Sequence, residues 1–426
     1  MTYDIIGIGI GPFNLGLAAL LADLPELTSI FFDGEPTFRW HPGLLLPNAR
    51  LQVPYYADLV TLASPQNRFS YLSFLHAKQR LFRFAIQENP YPLRREYQEY
   101  AQWVAAQLPC LHFGYTCINV YWCEQEQCYA VHCTDRSGGL HTFHGKQLVL
   151  GTGTRPYLPS CVQGIQHTLV FHASEYLFNK KNLAGQAKIT LVGSGQSAAE
   201  VFQDLLTHGH PKSELAWFTR SPRFFPMEVA KLTLEMTSPD YIDYFYGLPT
   251  TEKKKLLRQQ DPLYKGINAA LIGEIYDSLY SQSLEQGKMP QWLATNSELV
   301  KIRVRSDELQ LDFQETVQQK EFSHRTQALI LATGYRYTVP DFLQPIQHRI
   351  HWTPEGGYEV RRDYSISKTG DIFVQNAELH THGFNTPDLG MGPYRNAVIL
   401  NRVLGYDHFI LEKAIAFQTF GAPGAS

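Results

Sequence analysis

The chain begins with a short β-branched run, Ile5-Ile6, that passes through Gly7-Ile8-Gly9 into an Ala/Leu-rich stretch from Phe13 to Leu21. That pattern predicts a strand, a tight turn and a helix. It returns at Lys188 to Leu206, with Ile189 to Val192 as strand, Gly193-Ser194-Gly195 as turn and a helix from Ser197. Between the two units, Arg94 to Leu108 spaces Tyr97, Tyr100, Ala101, Val104 and Leu108 along one helical face. Leu111 to Leu150 alternates like a β-meander with a turn at Asp135 to Gly139, and Pro226 to Glu285 is mostly helical. Strand patterns resume after Ser297 and end in Ala328 to Arg336, and a last helix is expected from Tyr394 to Leu404. The prediction is an α/β fold of two Rossmann-like dinucleotide-binding domains with a small helical domain. The boundaries expected are 1–165 and 326–426 for the first domain, 166–225 and 286–325 for the second, and 226–285 for the helical unit.

Composition narrows the function classes. At 44% hydrophobic and 18% charged the chain has ample core material, and a net charge of −3 gives no basic field for nucleic acid or anionic lipid. The apolar N-terminal stretch lacks a basic flank, follows Asp4 and is broken by glycines, so it does not read as a signal peptide. No other stretch approaches the roughly 20 apolar residues needed to cross a bilayer. A cytoplasmic protein with no membrane or nucleic-acid partner is expected. The cysteines form no C-x-x-C pair, which argues against a thiol redox centre. The spacing of Cys117, Cys123, Cys128 and Cys133 suits buried strand positions better than zinc, and no metal is expected.

The glycine turns carry the chemistry. Gly7 permits the turn and Gly9 lets backbone approach a pyrophosphate at a helix N-terminus, while Gly11 and Pro12 complete a variant of G-x-G-x-x-G. A valine at Gly9 is expected to displace that pyrophosphate from a folded protein. About twenty residues on, Asp33 ends an apolar strand where a carboxylate would accept ribose hydroxyls. At the second turn, Gly193 and Gly195, the matching strand ends instead in Arg220, Ser221 and Arg223, which suits a 2′-phosphate and hence NADP(H). Two apolar strands end in Thr-Gly, at Leu148 to Pro159 and at Leu329 to Arg336. The second brings Thr333 and Gly334 toward the cofactor as the chain crosses between domains.

With "GIGIGPFNLGLA", "FRWHPGLLLP", "LQVPYYADLVTLASPQNRFSYLSFL", "PLRREYQEY", "GTGTRPYLP", "VGSGQSAAE", "LATGY" and "DLGMGPYRNAVILN", the sequence resembles the flavin-dependent N-hydroxylating monooxygenases of siderophore biosynthesis over nearly its whole length. The resemblance implies FAD on the first unit, NADPH on the second, O2 as co-substrate and a C4a-hydroperoxyflavin as oxygen donor. It places Trp40, His41, Gln52, Asp388 and Leu389 at the flavin, and Gln196 and Ser197 at NADPH. It also implies a homo-oligomer, dimer or tetramer. No catalytic side chain is required, because the substrate amine is the nucleophile. His380 and His382 are expected on a flavin-side loop.

The departure from the family bears on substrate. Lysine and ornithine hydroxylases carry a lysine just before the Asp-Leu of "YYADL", pairing the substrate carboxylate; here the residue is Ala57. The asparagine that ornithine enzymes use for the same end aligns with Leu263. Burying an unpaired carboxylate is costly, so a diamine is favoured, cadaverine ahead of putrescine, toward a desferrioxamine-type siderophore. Asp388, Glu228 and backbone carbonyls are the acceptors open to its far ammonium. Lys265 or Arg395 as a substitute cation keeps L-lysine open as the alternative substrate. A redox-silent nucleotide-binding regulator is the alternative of another class.

Overall fold

The structure is a computed structural model describing residues 1–210, 213–286, 291–305 and 308–422. Strand β1 (Thr2–Ile8) is buried from Ile5 onward, as in a parallel sheet covered on both faces. Helix α1 (Pro12–Leu21) starts on a proline, whose missing N–H falls at an unpaired position, and is buried from Asn14 to Leu21. Strand β2 (Ser29–Asp33) runs parallel to β1 with Phe31 beside Gly7, and a side chain on Gly7 would overlap that ring. Helix α2 (Arg94–Ala105) buries Arg94, Tyr97, Tyr100, Ala101 and Val104.

Strand β3 (Leu111–Phe113) lies parallel to β2 rather than opening the meander. The antiparallel run is β4 (Thr116–Cys123), β5 (Cys128–Thr134) and β6 (Leu140–Leu150), and β6 pairs parallel with β1. The sheet order is β3-β2-β1-β6-β5-β4. Cys117 faces Cys133 and Cys123 faces Cys128 across β4 and β5, all as free thiols.

Strand β7 (Thr154–Pro156) leaves this body. The second sheet draws on β8 (Val170–His172), β9 (Lys188–Val192) with helix α3 (Gln196–His208), β10 (Glu214–Phe218) with helix α4 (Ala269–Gln286), and β11 (Gln291–Ala294). An antiparallel insert follows, β12 (Ser297–Arg305), β13 (Glu308–Glu315) and β14 (Lys320–Thr326), and then β15 (Ala328–Leu331). The order is β11-β10-β9-β15-β8, all parallel. Strand β16 (Tyr335–Tyr337) returns antiparallel to β7, so the two crossings between bodies are hydrogen-bonded to each other. Strand β17 (Ile372–Val374) joins β6, and helix α5 (Met391–Leu404) packs on α1 through Asn396 Nδ2 to Phe13 O at 3.0 Å. Among the described residues no helix is long and apolar enough to cross a membrane.

Packing moves three of the expected boundaries. Val162 lies in the core of the second sheet with Val192 and Leu299, so that body begins before 165. Strand β15 pairs with β9 and β8, so the return to the first body follows 331 rather than 325. Helix α4 buries Ile275 and Leu279 with Leu205 and Trp217, which makes it the crossover helix between β10 and β11. The separate helical unit is therefore shorter than 226–285. It comprises the short helices Lys231–Leu234, Pro239–Gly247, Thr250–Gln259 and Asp261–Tyr264 around Tyr241, Phe245 and Phe384.

The bodies meet closely at Gly43, where a Cβ would lie 1.8 Å from the carbonyl oxygen of Ser174. Gly43→Ala should force them apart and cost about 1–3 kcal/mol. Thermal unfolding reads this directly, and an unchanged melting temperature would contradict so close a contact.

Candidate functional site

At the first turn, Gly9 has φ +90 and a Cβ there would stand 2.4 Å from Gly151 O. A valine would thus strike the β6 crossover, and the expectation that it would only displace a ligand is corrected. Gly11 is the open position, with nothing within 4 Å of its Cβ site. The N–H groups of α1 are reachable by an anion over Gly11. Asn14, which no sequence pattern flagged, is the hub of the turn. Its Nδ2 donates to Gly9 O at 2.7 Å and Val149 O at 3.3 Å, and its Oδ1 accepts from Gln375 Nε2 at 2.6 Å. Asp33 accepts from Ile10 N at 2.7 Å and Glu35 N at 2.8 Å, which leaves a carboxylate room for further donors.

A narrow cleft runs between Pro12–Phe13, Asp58–Leu59 and Leu389–Pro393. The hydroxyl of Tyr97 is buried beside it with no hydrogen-bond partner among the described residues, and Trp40 packs on the Tyr97 ring at 5.2 Å. Asp58 holds one wall by accepting from Val60 N, Thr61 N, Thr61 Oγ1 and Tyr71 N at 2.6–2.9 Å. The wall carries Ala57, which is buried. A Cβ on Gly390 would lie 3.5 Å from Ala57 Cβ and 3.0 Å from Asp388 Oδ1, so both residues flank Gly390. Asp388 accepts from Gly390 N at 2.7 Å and Met391 N at 3.3 Å at the start of α5. Burial lifts its carboxyl above the ordinary range against those bonds.

Of the cations held as substitutes for the missing lysine, Lys265 is engaged elsewhere, whereas Arg395 keeps Nε and Nη1 without a hydrogen-bond partner among the described residues and its charge is felt at Asp388. Arg395 is buried, 3.0 Å from Glu378, donates to Thr386 O at 2.6 Å and lies over the Phe13 ring. Lys265 is exposed and paired with Asp261 at 2.8 Å. Leu263 belongs to the apolar cluster of the helical unit, and Glu228 is exposed. His380 and His382 lie on the short helix Leu379–His382 rather than a loop. His380 bonds Tyr358 O at 2.7 Å, and His382 is buried against the Tyr364 ring.

At the second turn Gly193 has φ +147, and a Cβ there would meet Ala332 O at 2.2 Å. Gly195 is open, its Cβ site meeting only Lys265 O at 3.5 Å. Gln196 and Ser197 begin α3. Gln196 Nε2 donates to Glu200 Oε1 at 2.9 Å, and its Oε1 accepts from Asn268 N at 2.8 Å. Arg220 is exposed, Arg223 lies 6.0 Å from the Phe225 ring, and Ser221 Oγ donates to Arg223 O at 2.9 Å. Neither arginine has a carboxylate partner among the described residues. Thr333 spends its hydroxyl proton on Tyr157 O at 2.5 Å, and Gly334 O accepts from Tyr157 N at 2.9 Å, so both brace the crossover.

Between the turns, Arg94 of α2 meets Glu200 of α3 in a buried two-pronged pair at 2.9 and 2.7 Å, and Arg94 also donates to Leu44 O at 2.9 Å. Gln52 Nε2 reaches Gly266 O at 3.1 Å. His41, in a left-handed conformation, packs on Trp40 and edge-on to Tyr335. Burial and then the nearby Arg94 pull it down to about 4, so it is neutral near pH 7.

Two open dinucleotide turns, with arginines beside the second that lack a carboxylate partner among the described residues and a cleft beside the first, define the class: a two-dinucleotide oxidoreductase. The chain belongs to the L-lysine 6-monooxygenase/L-ornithine 5-monooxygenase family, whose model matches residues 1–337. It is 49% identical over 423 residues to the putrescine N-hydroxylase of Shewanella oneidensis, covering 98% of this chain and 84% of that one. Its fold superposes at a TM-score of 0.97 on the FAD-bound cadaverine monooxygenase of desferrioxamine biosynthesis from Erwinia amylovora, with 47% identity over 99% of each chain. An ornithine N-hydroxylase from Kutzneria, solved with reduced FAD, NADP+ and L-ornithine, matches at 26% identity and a TM-score of 0.88 over 95% of this chain and 99% of that one.

The two glycines of the first turn should separate on substitution. Gly9→Val should lower the melting temperature of the FAD-free protein, whereas Gly11→Val should leave it unchanged and yield a colourless protein. Stoichiometric FAD in Gly11→Val would mean that the first turn is misassigned.

Proposed function

We propose that this protein hydroxylates one terminal amine of an aliphatic diamine, cadaverine ahead of putrescine, with FAD, NADPH and O2, in the making of a hydroxamate siderophore. The open Gly11 turn, Asp33 and the unpartnered Tyr97 hydroxyl fit FAD. The open Gly195 turn with Arg220 and Arg223 fits NADPH. Bound FAD, once reduced by NADPH, supplies the activated oxygen. The chain supplies placement and protection from water. A primary amine with a pKa of roughly 10 is mostly protonated in water, and a walled cleft that strips its hydration raises the neutral, nucleophilic fraction.

The observation that carries the substrate reading is that Ala57 and Asp388 both flank Gly390. Where an amino-acid hydroxylase of the family would set a lysine for the carboxylate, this site has a methyl group beside an acid. A carboxylate there would lack the cation it needs, while an ammonium would pair with Asp388. Asp388 thus ranks ahead of exposed Glu228 as acceptor. Lys265 is paired with Asp261, and Glu378 beside Arg395 offsets the charge that a substrate carboxylate would need.

Hydroxylamine formation should be fast with cadaverine, slower with putrescine and near background with lysine and ornithine. Ala57→Lys should cut cadaverine turnover about tenfold or more, because a like charge beside the ammonium costs over 1.4 kcal/mol. Efficient lysine hydroxylation by the unaltered enzyme would sink the reading. On the cofactor side, alanine at both Arg220 and Arg223 should remove most of the preference for NADPH over NADH, about 1.5–3 kcal/mol per charge-assisted bond before screening. Comparing kcat/KM for the two reductants checks this, and equal use of both by the unaltered enzyme would contradict it.

A further inference from the structure

We infer that the Arg94–Glu200 pair is a positioning device by which the flavin-side body sets the geometry and charge of the NADP(H) turn. Glu200 lies one helical turn beyond Gln196, at the α3 N-terminus where a pyrophosphate would dock. An uncompensated carboxylate there would oppose an anion. Arg94, held by Leu44 O, cancels that charge from the other body and fixes the carboxylate through two bonds. The fixed Glu200 Oε1 then orients Gln196 Nε2, and Gln196 Oε1 holds Asn268 N. Asn268 in turn caps α4 by accepting from Ala270 N at 2.9 Å. One continuous path thus joins the flavin-side body, the Gly195 turn and the loop over it that carries Lys265. Sequence motifs hold both residues, in "PLRREYQEY" and "VGSGQSAAE", without showing that they meet.

The inference rests on placing NADP(H) at Gly193 to Gln196, so the test carries a control for that placement. NADP+ affinity is measured by calorimetric titration on FAD-loaded protein, with thermal unfolding in parallel, for Arg94→Gln, Arg94→Lys, Glu200→Gln, the double variant Arg94→Gln/Glu200→Gln and Gly195→Val. Arg94→Gln should weaken NADP+ about tenfold or more, and more than Glu200→Gln does, because only the former leaves a carboxylate facing the anion. The double variant buries no unpaired charge and should recover melting temperature but only part of the NADP+ affinity, because the fork that orients Gln196 is still missing. Each weakened variant should also divert NADPH consumption from hydroxylamine to hydrogen peroxide. A double variant that binds NADP+ like the unaltered protein would reduce the pair to a structural brace and overturn the inference. If the glutamine variants do not fold, Arg94→Lys decides. It keeps the charge but not the fork, and unaltered NADP+ affinity in it counts equally against the proposal. Undiminished NADP+ binding in Gly195→Val would instead overturn the placement of the cofactor.

Discussion

A guanidinium and a carboxylate buried between two nucleotide-binding bodies constrain everything around them. Neither charge can be left dry and unpaired, and removing one partner of such a pair costs about 3–5 kcal/mol. Arg94 and Glu200 therefore admit little besides the docked arrangement seen here. The same junction is sealed by the close passage of Gly43 to Ser174 O, by Gln52 on Gly266 O and by the β7–β16 pairing. These contacts aim the carboxyl ends of β1 and β9, with the turns that follow them, into a common space. That is the arrangement a reductant and an oxygen-activating cofactor require of their protein.

Electrostatics also orders the substrate end. In a cleft screened from water, one charge more or less decides which molecule enters, since burial removes the hydration that would make a mismatch tolerable. Asp58 illustrates a charge spent on architecture: it is 2% exposed, and its donors come from Val60, Thr61 and Tyr71. Asp388 illustrates a charge with capacity left over, because among the described residues its hydrogen bonds from the α5 N-terminus fall on Oδ1. The difference between the two acids lies in their surroundings and not in residue type.

Much of the fold was legible because glycine turns between an apolar strand and a helix have few other uses. Both units and the strand after each turn appear where the pattern put them. The domain limits were less legible. Helix α4 reads as one more helix in a helical stretch, and only its packing against Leu205 and Trp217 assigns it to the second sheet. Strand β15 sits beside the crossover motif in sequence but pairs with β9 and β8. At the site, the pattern set Gly9 against the pyrophosphate, and only the carbonyl of Gly151 shows Gly11 to be the open position. Asn14 and Tyr97 sat inside helical patterns that concealed a buried amide and an unpartnered hydroxyl. Arg94 and Glu200 are far apart in sequence, and pairing of distant polar residues leaves no periodicity to read.

The central claim, that this site receives a diamine by its far ammonium at Asp388, is tested most directly by a crystal structure of the holoenzyme with FAD, NADP+ and cadaverine. The account predicts one ammonium nitrogen about 2.7–2.9 Å from the Asp388 carboxylate, beside the Ala57 methyl, with the other amine directed at the flavin. A cadaverine whose far ammonium lies on Glu228 or in open solvent, with Asp388 unengaged, would contradict it.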